Sequence, residues 1–301
     1  MRTGLLIYNP ISGSQMIPGM LDDLLAFGLD KGLYLVPFRL HQSDENRVLL
    51  KHIIQESWVE FVIASGGDGT LRMAAQEIIT KRPSLPLGII PAGTCNDFAE
   101  SLHLPQDVWD CINVVAENEC TAVDVGRVNG ERIFLSTCAA GMFVNISYSI
   151  SPVLKKSLGP LAYYFSALGE LANIRAFPLR IETEAETIED DFLLFLLING
   201  THAAGLTNLY SKARMRDGFM DLLLIRDVPP VDLPNLFMEL INRESNEDGV
   251  WFKRLKARRF RFSGPALIQT TQDGEEGLPF PLEVEVLPQA LTVYNRRPDR
   301  Q

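Results

Sequence analysis

Three polar, glycine-containing segments in the first third of the chain carry residue types suited to binding a phosphorylated ligand. The most informative is Gly66–Thr70, which reads Gly-Gly-Asp-Gly-Thr after an apolar run and directly before a predicted helix. Glycines let backbone approach a ligand, and free N–H groups at a helix start favour phosphate. Asp68 would be repelled by phosphate unless a cation lay between them, which suggests a nucleotide carrying Mg²⁺. The alternative is a glycine-rich turn in which Asp68 caps a helix.

The other two segments, Asn9–Ser14 and Pro91–Ala99, follow the first and fourth apolar runs. Each is an ordinary turn or helix cap when taken alone. Three such loops at one end of one sheet favour a shared ligand. The candidate nucleotide contacts are Asn9, Ser12, Gly13, Gly66, Gly67, Asp68, Gly69, Thr70, Thr94 and Asn96.

Strand-like and helix-like runs alternate through this part of the chain. The predicted strands are Thr3–Tyr8, Tyr34–Phe38, Phe61–Ala64 and Leu87–Ile90, and the predicted helices include Met20–Lys31, Asn46–Glu56 and Leu71–Lys81. Such alternation predicts βαβ units and a parallel sheet covered on both faces. Ligands bind such sheets at the carboxyl ends of the strands, where the three polar loops begin.

After about Thr121 the pattern changes to strands with few helices, which predicts a mostly antiparallel β domain. The predicted strands are Ala122–Val128, Arg132–Cys138, Pro178–Glu182, Phe192–Ile198, Met220–Ile225, Arg259–Ser263, Leu267–Thr271, Leu282–Val286 and Ala290–Tyr294. Two helical segments, Lys156–Ile174 and Asp232–Ile241, interrupt them.

Composition narrows the class of protein. A chain of 301 residues with 46% hydrophobic residues is typical of about two globular domains. The net charge of −10 argues against broad nucleic-acid binding. Four cysteines without CxxC spacing argue against zinc or disulfides and favour a reducing cytoplasm. The most apolar stretch, Phe192–Ile198, is too short to span a bilayer, so no transmembrane helix is expected.

Together with Val123–Gly126, Ala213–Gly218 and Asp273–Glu275, the three loops resemble the diacylglycerol kinase catalytic-domain family, specifically the bacterial lipid kinases. The likeness covers nearly the whole chain. It implies a nucleotide-binding α/β domain like that of NAD kinases and phosphofructokinases, followed by a mostly antiparallel β domain. Since the last strand returns to the first domain in that architecture, the implied domains are 1–121 with about 290–301, and 122–289 for the lipid substrate.

The resemblance implies transfer of the γ-phosphoryl group of ATP to a hydroxyl of a diacylglycerol-like lipid, in phospholipid biosynthesis. Asp68 would serve the Mg²⁺–nucleotide complex and Glu275 would be the general base, although Asp273–Glu276 also reads as a surface turn. Asp97 and Asp124 would belong to a polar network.

The same resemblance implies a structural Mg²⁺ held by the Asp217 carboxylate and the carbonyls of Arg214 and Phe219. Oxygen ligation suits this ion. The sequence Asp217-Gly218 is also typical of a tight hairpin turn.

A lipid substrate implies a cytoplasmic protein, peripheral at the inner membrane face. The candidate basic contacts are Lys155-Lys156 and a cluster in Lys253–Arg261, next to Trp251 and Phe252. An exposed β edge would permit a homodimer.

The chain departs from the family in having no lysine before Lys31, so phosphate charge must be met by other groups. Two alternatives to a lipid kinase stay open: a non-catalytic nucleotide- or lipid-binding protein on the kinase fold, and an NAD kinase.

Overall fold

The computed structural model describes residues 1–12, 16–41, 43–141, 175–203, 214–229, 232, 236 and 248–296. The chain divides into two compact units, Met1–Val125 with Pro288–Gln301, and Gly126–Leu287. Among the described residues, no helix is long and apolar enough to cross a membrane.

The first unit alternates strands and helices, as the sequence predicts. Its elements are β1 (Arg2–Tyr8), α1 (Met16–Asp30), β2 (Leu33–Arg39), α2 (Asp44–Gln55), β3 (Phe61–Gly66), α3 (Asp68–Lys81), β4 (Leu87–Pro91), α4 (Asp97–Ser101), α5 (Val108–Glu117) and the start of β5 (Cys120–Val128). The strands pair in parallel in the order β2-β1-β3-β4. Every residue of β3 and β4 is buried, as expected of central parallel strands covered by helices.

The end of the chain completes this sheet. Val293 pairs in parallel with Leu87 of β4. Tyr294 is 1% exposed, and its ring meets the Phe61 ring edge-on with centroids 6.0 Å apart. The Arg2 guanidinium donates to the Tyr294 hydroxyl at 2.8 Å and to the Val115 carbonyl at 2.7 Å. The last strand is therefore held to β1 by a hydrogen bond and to β3 by an aromatic contact.

The described residues of the second unit form mostly antiparallel strands. They are the end of β5, β6 (Arg132–Phe134), β7 (Thr137–Gly141), β8 (Phe177–Glu182), β9 (Thr187–Ile198), β10 (Met220–Arg226), β11 (Phe252–Ala257), β12 (Arg259–Ser263), β13 (Thr270–Gln272), β14 (Glu275–Glu276) and β15 (Leu282–Tyr294), which continues into the first unit. The main path runs β14-β13-β7-β9-β8-β12-β15, and β10 lies between β9 and β11. Phenylalanines fill the core, and the Phe195 and Phe262 rings stack with centroids 4.4 Å apart.

Several predicted strands differ from those observed. Arg132–Cys138 is interrupted between β6 and β7, because the N–H groups of Leu135 and Ser136 donate to a side chain rather than to a strand. Of the predicted strand Leu267–Thr271, only Thr270 and Thr271 lie in a strand, β13, since Leu267 lies in a turn and is 95% exposed.

Two further strands differ at the carboxyl end of the chain. The predicted Leu282–Val286 and Ala290–Tyr294 are one continuous strand. The strand β11 was not predicted, because its basic residues obscure the apolar alternation. The predicted helix Lys156–Ile174 lies outside the described residues, and only Asp232 and Leu236 of Asp232–Ile241 lie within them.

Candidate functional site

The loops after β1, β3 and β4 lie side by side at the carboxyl edge of the first unit's sheet. Tyr8 pairs with Ser65, and Gly66 pairs with Pro91. Backbone bonds continue the register into the loops, since Asn9 N–H donates to the Ser65 carbonyl at 3.1 Å and Ala92 N–H to that of Gly66 at 2.9 Å. The structure thus brings together the three segments that the sequence singles out.

Glycines at two positions allow the second and third loops to touch. A Cβ at Gly93 would lie 2.5 Å from the Gly67 Cα, and one at Gly67 would lie 3.2 Å from the Gly93 Cα. The obstacle is backbone on both sides, so no side-chain rotation could relieve it. A side chain at either position would push the two loops apart, so both positions require glycine.

The Asn96 side chain closes the third loop. Its Oδ1 accepts from Gly93 N–H at 2.8 Å, and its Nδ2 donates to the Gly93 carbonyl at 3.3 Å. Asn96 has a φ of 53° and is 8% exposed. Asparagine tolerates this left-handed conformation better than most residues. The Asn96 side chain, which was predicted to contact the nucleotide, thus shapes the loop, whereas Thr94 is exposed.

The first loop forms a small turn of its own. Asn9 Oδ1 accepts from Ile11 N–H at 3.2 Å, and Ser12 N–H donates to the Asn9 carbonyl at 3.3 Å. Ser12 is partly exposed, and Gly13 lies outside the described residues. Asn9 therefore orients the loop from the β1 side.

Helix α3 begins at the centre of this arrangement. Its N-cap is Gly67, which makes no side-chain capping bond, and Asp68 lies in its first turn. Asp68 Oδ1 accepts a long bond from Phe98 N–H at 3.5 Å. Thr70 is buried, and its N–H donates to the Gly67 carbonyl. A 14-residue helix that starts without a side-chain cap offers its first N–H groups and its dipole to an anion.

These residues fit a nucleotide with its Mg²⁺. The Gly67–Gly93 contact keeps backbone without side chains at the start of α3, and Asp68 supplies a carboxylate oxygen there. Nucleotide-bound Mg²⁺ commonly takes one or two carboxylates, with phosphate and water completing its shell. No group of three metal-binding side chains occurs among the described residues, and such a group is not required for this kind of site.

The two acidic residues of the expected polar network are buried in the first unit. Asp97 begins α4 and is 7% exposed. Asp124 is fully buried in β5, and its Oδ1 accepts from Gln289 N–H at 2.8 Å. Asp124 therefore holds the returning strand β15, a role that the sequence does not suggest.

In the second unit, Glu275 begins β14 after a tight turn at Asp273-Gly274, where the φ angles are 51° and 76°. The Asp273 carboxylate accepts three backbone N–H groups: those of Leu135 and Ser136 at 2.8 Å and that of Thr137 at 3.0 Å. Asp273 itself is 8% exposed. The buried Asp273 carboxylate thus holds in place the turn that carries Glu275.

Sequence reasoning included Asp273 in a motif but assigned it no role. Its three donors lie 136 to 138 residues away along the chain, so no local signal could have revealed them. The neighbouring Glu275 side chain is half exposed, and its Oε2 lies 3.7 Å from an Arg132 guanidinium nitrogen. Half exposure leaves the carboxylate accessible to an alcohol.

The turn expected to hold a structural Mg²⁺ contains a different cation. Asp217 Oδ1 accepts from Phe219 N–H at 3.1 Å, and its Oδ2 accepts from Lys256 Nζ at 2.7 Å. Lys256 Nζ is also 4.0 Å from Asp221 Oδ2. Burial is the main cause that raises the pKa of Asp221 to about 6, and the Lys256 charge opposes this shift. Because the Lys256 ammonium lies beside Asp217 Oδ2, where a Mg²⁺ ion would have to bind, this arrangement does not fit a Mg²⁺ ligand set.

The basic cluster considered for membrane contact is largely engaged within the second unit. Lys253 Nζ pairs with Glu186 at 2.6 Å, and the Arg258 guanidinium lies 4.6 Å from the Phe219 ring centroid. Phe252 is fully buried and cannot insert into a lipid surface. The other candidates, Lys155-Lys156 and the apolar Leu161–Phe165, lie outside the described residues.

Two known protein families together match most of the chain. Residues 3–128 match the diacylglycerol kinase catalytic domain, and residues 140–295 match the YegS C-terminal NAD kinase beta sandwich-like domain. A protein of Staphylococcus carnosus named diacylglycerol kinase is 31% identical over 96% of this chain and 94% of its own length. One of Staphylococcus aureus with the same name is 30% identical over 96% of this chain and 91% of its own length.

Solved structures agree with the architecture. The crystal structure of a proposed diacylglycerol kinase from Bacillus anthracis is 25% identical, with a TM-score of 0.80 over 98% of this chain and 95% of that one. The predicted fold class, an α/β domain followed by a β-rich domain, is confirmed. The chain therefore belongs to the diacylglycerol kinase catalytic-domain family, and it is an enzyme of the lipid-kinase class.

Proposed function

We propose that this enzyme transfers the γ-phosphoryl group of ATP to a hydroxyl of a diacylglycerol-like lipid. The observation that carries the proposal is the contact between Gly67 and Gly93 at the uncapped start of α3, beside Asp68. Family membership supports the use of ATP and the class of acceptor.

The first unit is assigned the nucleotide. Backbone N–H groups at the start of α3 would meet phosphate oxygens, and Asp68 would orient the nucleotide through its Mg²⁺. Mg²⁺ supplies neutralisation of phosphate charge when it is bound. This assignment explains how phosphate could be held although no lysine precedes Lys31. Backbone amides, the helix dipole and the Mg²⁺ held at Asp68 would supply the positive charge that a lysine would otherwise provide.

Glu275 is assigned the role of the general base, which removes the proton from the acceptor hydroxyl. A half-exposed carboxylate can accept this proton as the phosphoryl group is transferred. Asp273 would keep the turn in place, since three backbone N–H groups hold its carboxylate. Arg132 would limit the directions in which the Glu275 side chain can point.

The acceptor is assigned to a membrane surface, where the protein would bind peripherally. The ion pairs of the Lys253 cluster leave Lys155-Lys156 as the stronger candidate for lipid contact. Co-sedimentation with anionic and neutral vesicles at low and high salt tests this part of the proposal. Equal sedimentation with both vesicle types would count against electrostatic contact. A homodimer through an exposed β edge stays a prediction.

Labelled ATP with a panel of acceptors in mixed micelles tests the reaction. The panel contains diacylglycerol, phosphatidylglycerol, ceramide and sphingosine, and NAD is tested in solution. We expect a phosphorylated lipid, and we expect Asp68→Asn to abolish most turnover in a folded protein. Asp23→Asn, an exposed change on α1, is the matched control.

The outcomes separate the alternatives. Phosphorylated NAD without a phosphorylated lipid would indicate an NAD kinase. ATP binding without any transfer would indicate a non-catalytic protein on this fold. Full turnover by a folded Asp68→Asn protein would remove Asp68 from the mechanism.

A further inference from the structure

Two carboxylates of the second unit lie near one another at the start of β10. Asp217 occupies the turn that leads into the strand, where Gly218 has a φ of 75°, and Asp221 is the second residue of β10. Their side chains are 26% and 10% exposed. Two partly desolvated negative charges this close to one another require a cation or a proton.

The neighbouring strand supplies that cation. Lys256 on β11 pairs in register with Asp221 on β10, so its side chain leaves the sheet on the same face. Its Nζ is 2.7 Å from Asp217 Oδ2 and 4.0 Å from Asp221 Oδ2. The ammonium also lies 6.0 Å from the Phe219 ring centroid. Lys256 thus contacts the Asp217 turn, strand β10 and the Phe219 ring.

The second oxygen of Asp217 is also engaged, because Oδ1 accepts from Phe219 N–H at 3.1 Å. This bond closes the turn locally without any metal. Mg²⁺ demands near-octahedral oxygen ligands at about 2.0–2.1 Å and gives up its water reluctantly. To bind at Asp217, the ion would have to displace a primary ammonium that already makes a charge-assisted hydrogen bond there.

We propose that the Lys256 ammonium takes the place of a structural Mg²⁺ at the Asp217 turn, so that the second unit is stable without a divalent ion at this position. The inference does not depend on the proposed phosphoryl transfer, because it concerns only the cohesion of the antiparallel strands β10 and β11 and the turn before β10. It predicts that Lys256, which lies within 4.0 Å of both carboxylates, decides whether this turn requires a metal ion.

Thermal unfolding of the full chain, without nucleotide, tests the proposal. The melting temperature of the unaltered protein should be the same in EDTA and in millimolar Mg²⁺. Lys256→Met should lower the melting temperature in EDTA by roughly 2–4 °C, since the two carboxylates lose their cation. Lys253→Met, on the same strand but paired with Glu186, is the matched control for the loss of a lysine.

Two results would overturn the proposal. One is a Mg²⁺-dependent rise in the melting temperature of the unaltered protein that Asp217→Asn abolishes, since the ion would then bind at Asp217 despite Lys256. The other is a Lys256→Met protein that melts in EDTA at the same temperature as the unaltered chain. If Lys256→Met does not fold, the Mg²⁺ titration of the unaltered protein and of Asp217→Asn still decides the question.

Discussion

Asp273→Asn is the substitution whose effect follows most directly from the structure. Asp273 Oδ2 accepts from Leu135 N–H, while Oδ1 accepts from both Ser136 and Thr137. The amide of asparagine replaces one oxygen by an NH₂ group, so a donor must face a backbone donor in either orientation. A buried N–H group left without an acceptor costs about 1–3 kcal/mol. The lost charge adds to this, because charge-assisted bonds are stronger than neutral ones.

For a unit of this size, each kcal/mol lowers the melting temperature by about 2–4 °C, so a loss of about 1–3 kcal/mol should lower it by roughly 2–12 °C. The position of Glu275 should loosen with the turn, and turnover below the melting range should fall more than ATP affinity does. Differential scanning calorimetry and steady-state kinetics on the same preparation provide both values. Glu276→Gln, an exposed change in the same hairpin, is the control. If Asp273→Asn and Glu276→Gln melted within a degree of each other, the three hydrogen bonds would not anchor the turn as argued.

Three further results are expected. Glu275→Gln should lower turnover by about 10²–10⁴-fold with unchanged ATP affinity by calorimetry, and an unchanged turnover would leave Glu275 as a turn residue only. Gly93→Ala should weaken ATP binding and stability more than Gly67→Ala does. The Cβ added at Gly93 would lie 2.5 Å from the facing Cα, whereas the one added at Gly67 would lie 3.2 Å away. The reverse order of effects would refute the backbone contact. Burial raises the pKa of the Cys111 and Cys138 thiols from 9.0 to about 12. Because these thiols ionise at a lower pH in the unfolded chain than in the folded one, the free energy of unfolding keeps its full value below about pH 9. It then falls as the pH rises toward 12. Mass spectrometry after alkylation at mildly alkaline pH should find both thiols modified only in the unfolded chain, and rapid modification of the folded chain would contradict their burial.

The sequence by itself determined the features whose causes are local. The strand β3, the glycine-rich loop and the helix α3 follow one another within about 20 residues, and apolar runs, glycines and helical periodicity are readable over that span. Motif order along the whole chain was sufficient to indicate the family. The residues Asp68 and Glu275 were found in this way, and their roles stay proposals.

Only the tertiary structure decided which distant groups meet. Gly67 and Gly93, which touch, lie 26 positions apart in the chain. Asp273 and its donor Leu135 lie 138 positions apart, and Asp217 and Lys256 lie 39 apart. A lone sequence shows that such a residue is charged or small, but its partner depends on strand register and on how loops pack. A shift of one residue between β10 and β11 would turn Lys256 to the opposite face of the sheet and away from both carboxylates. The identity of the cation at Asp217 is therefore a property of the folded sheet, because register alone places one particular lysine within hydrogen-bonding distance.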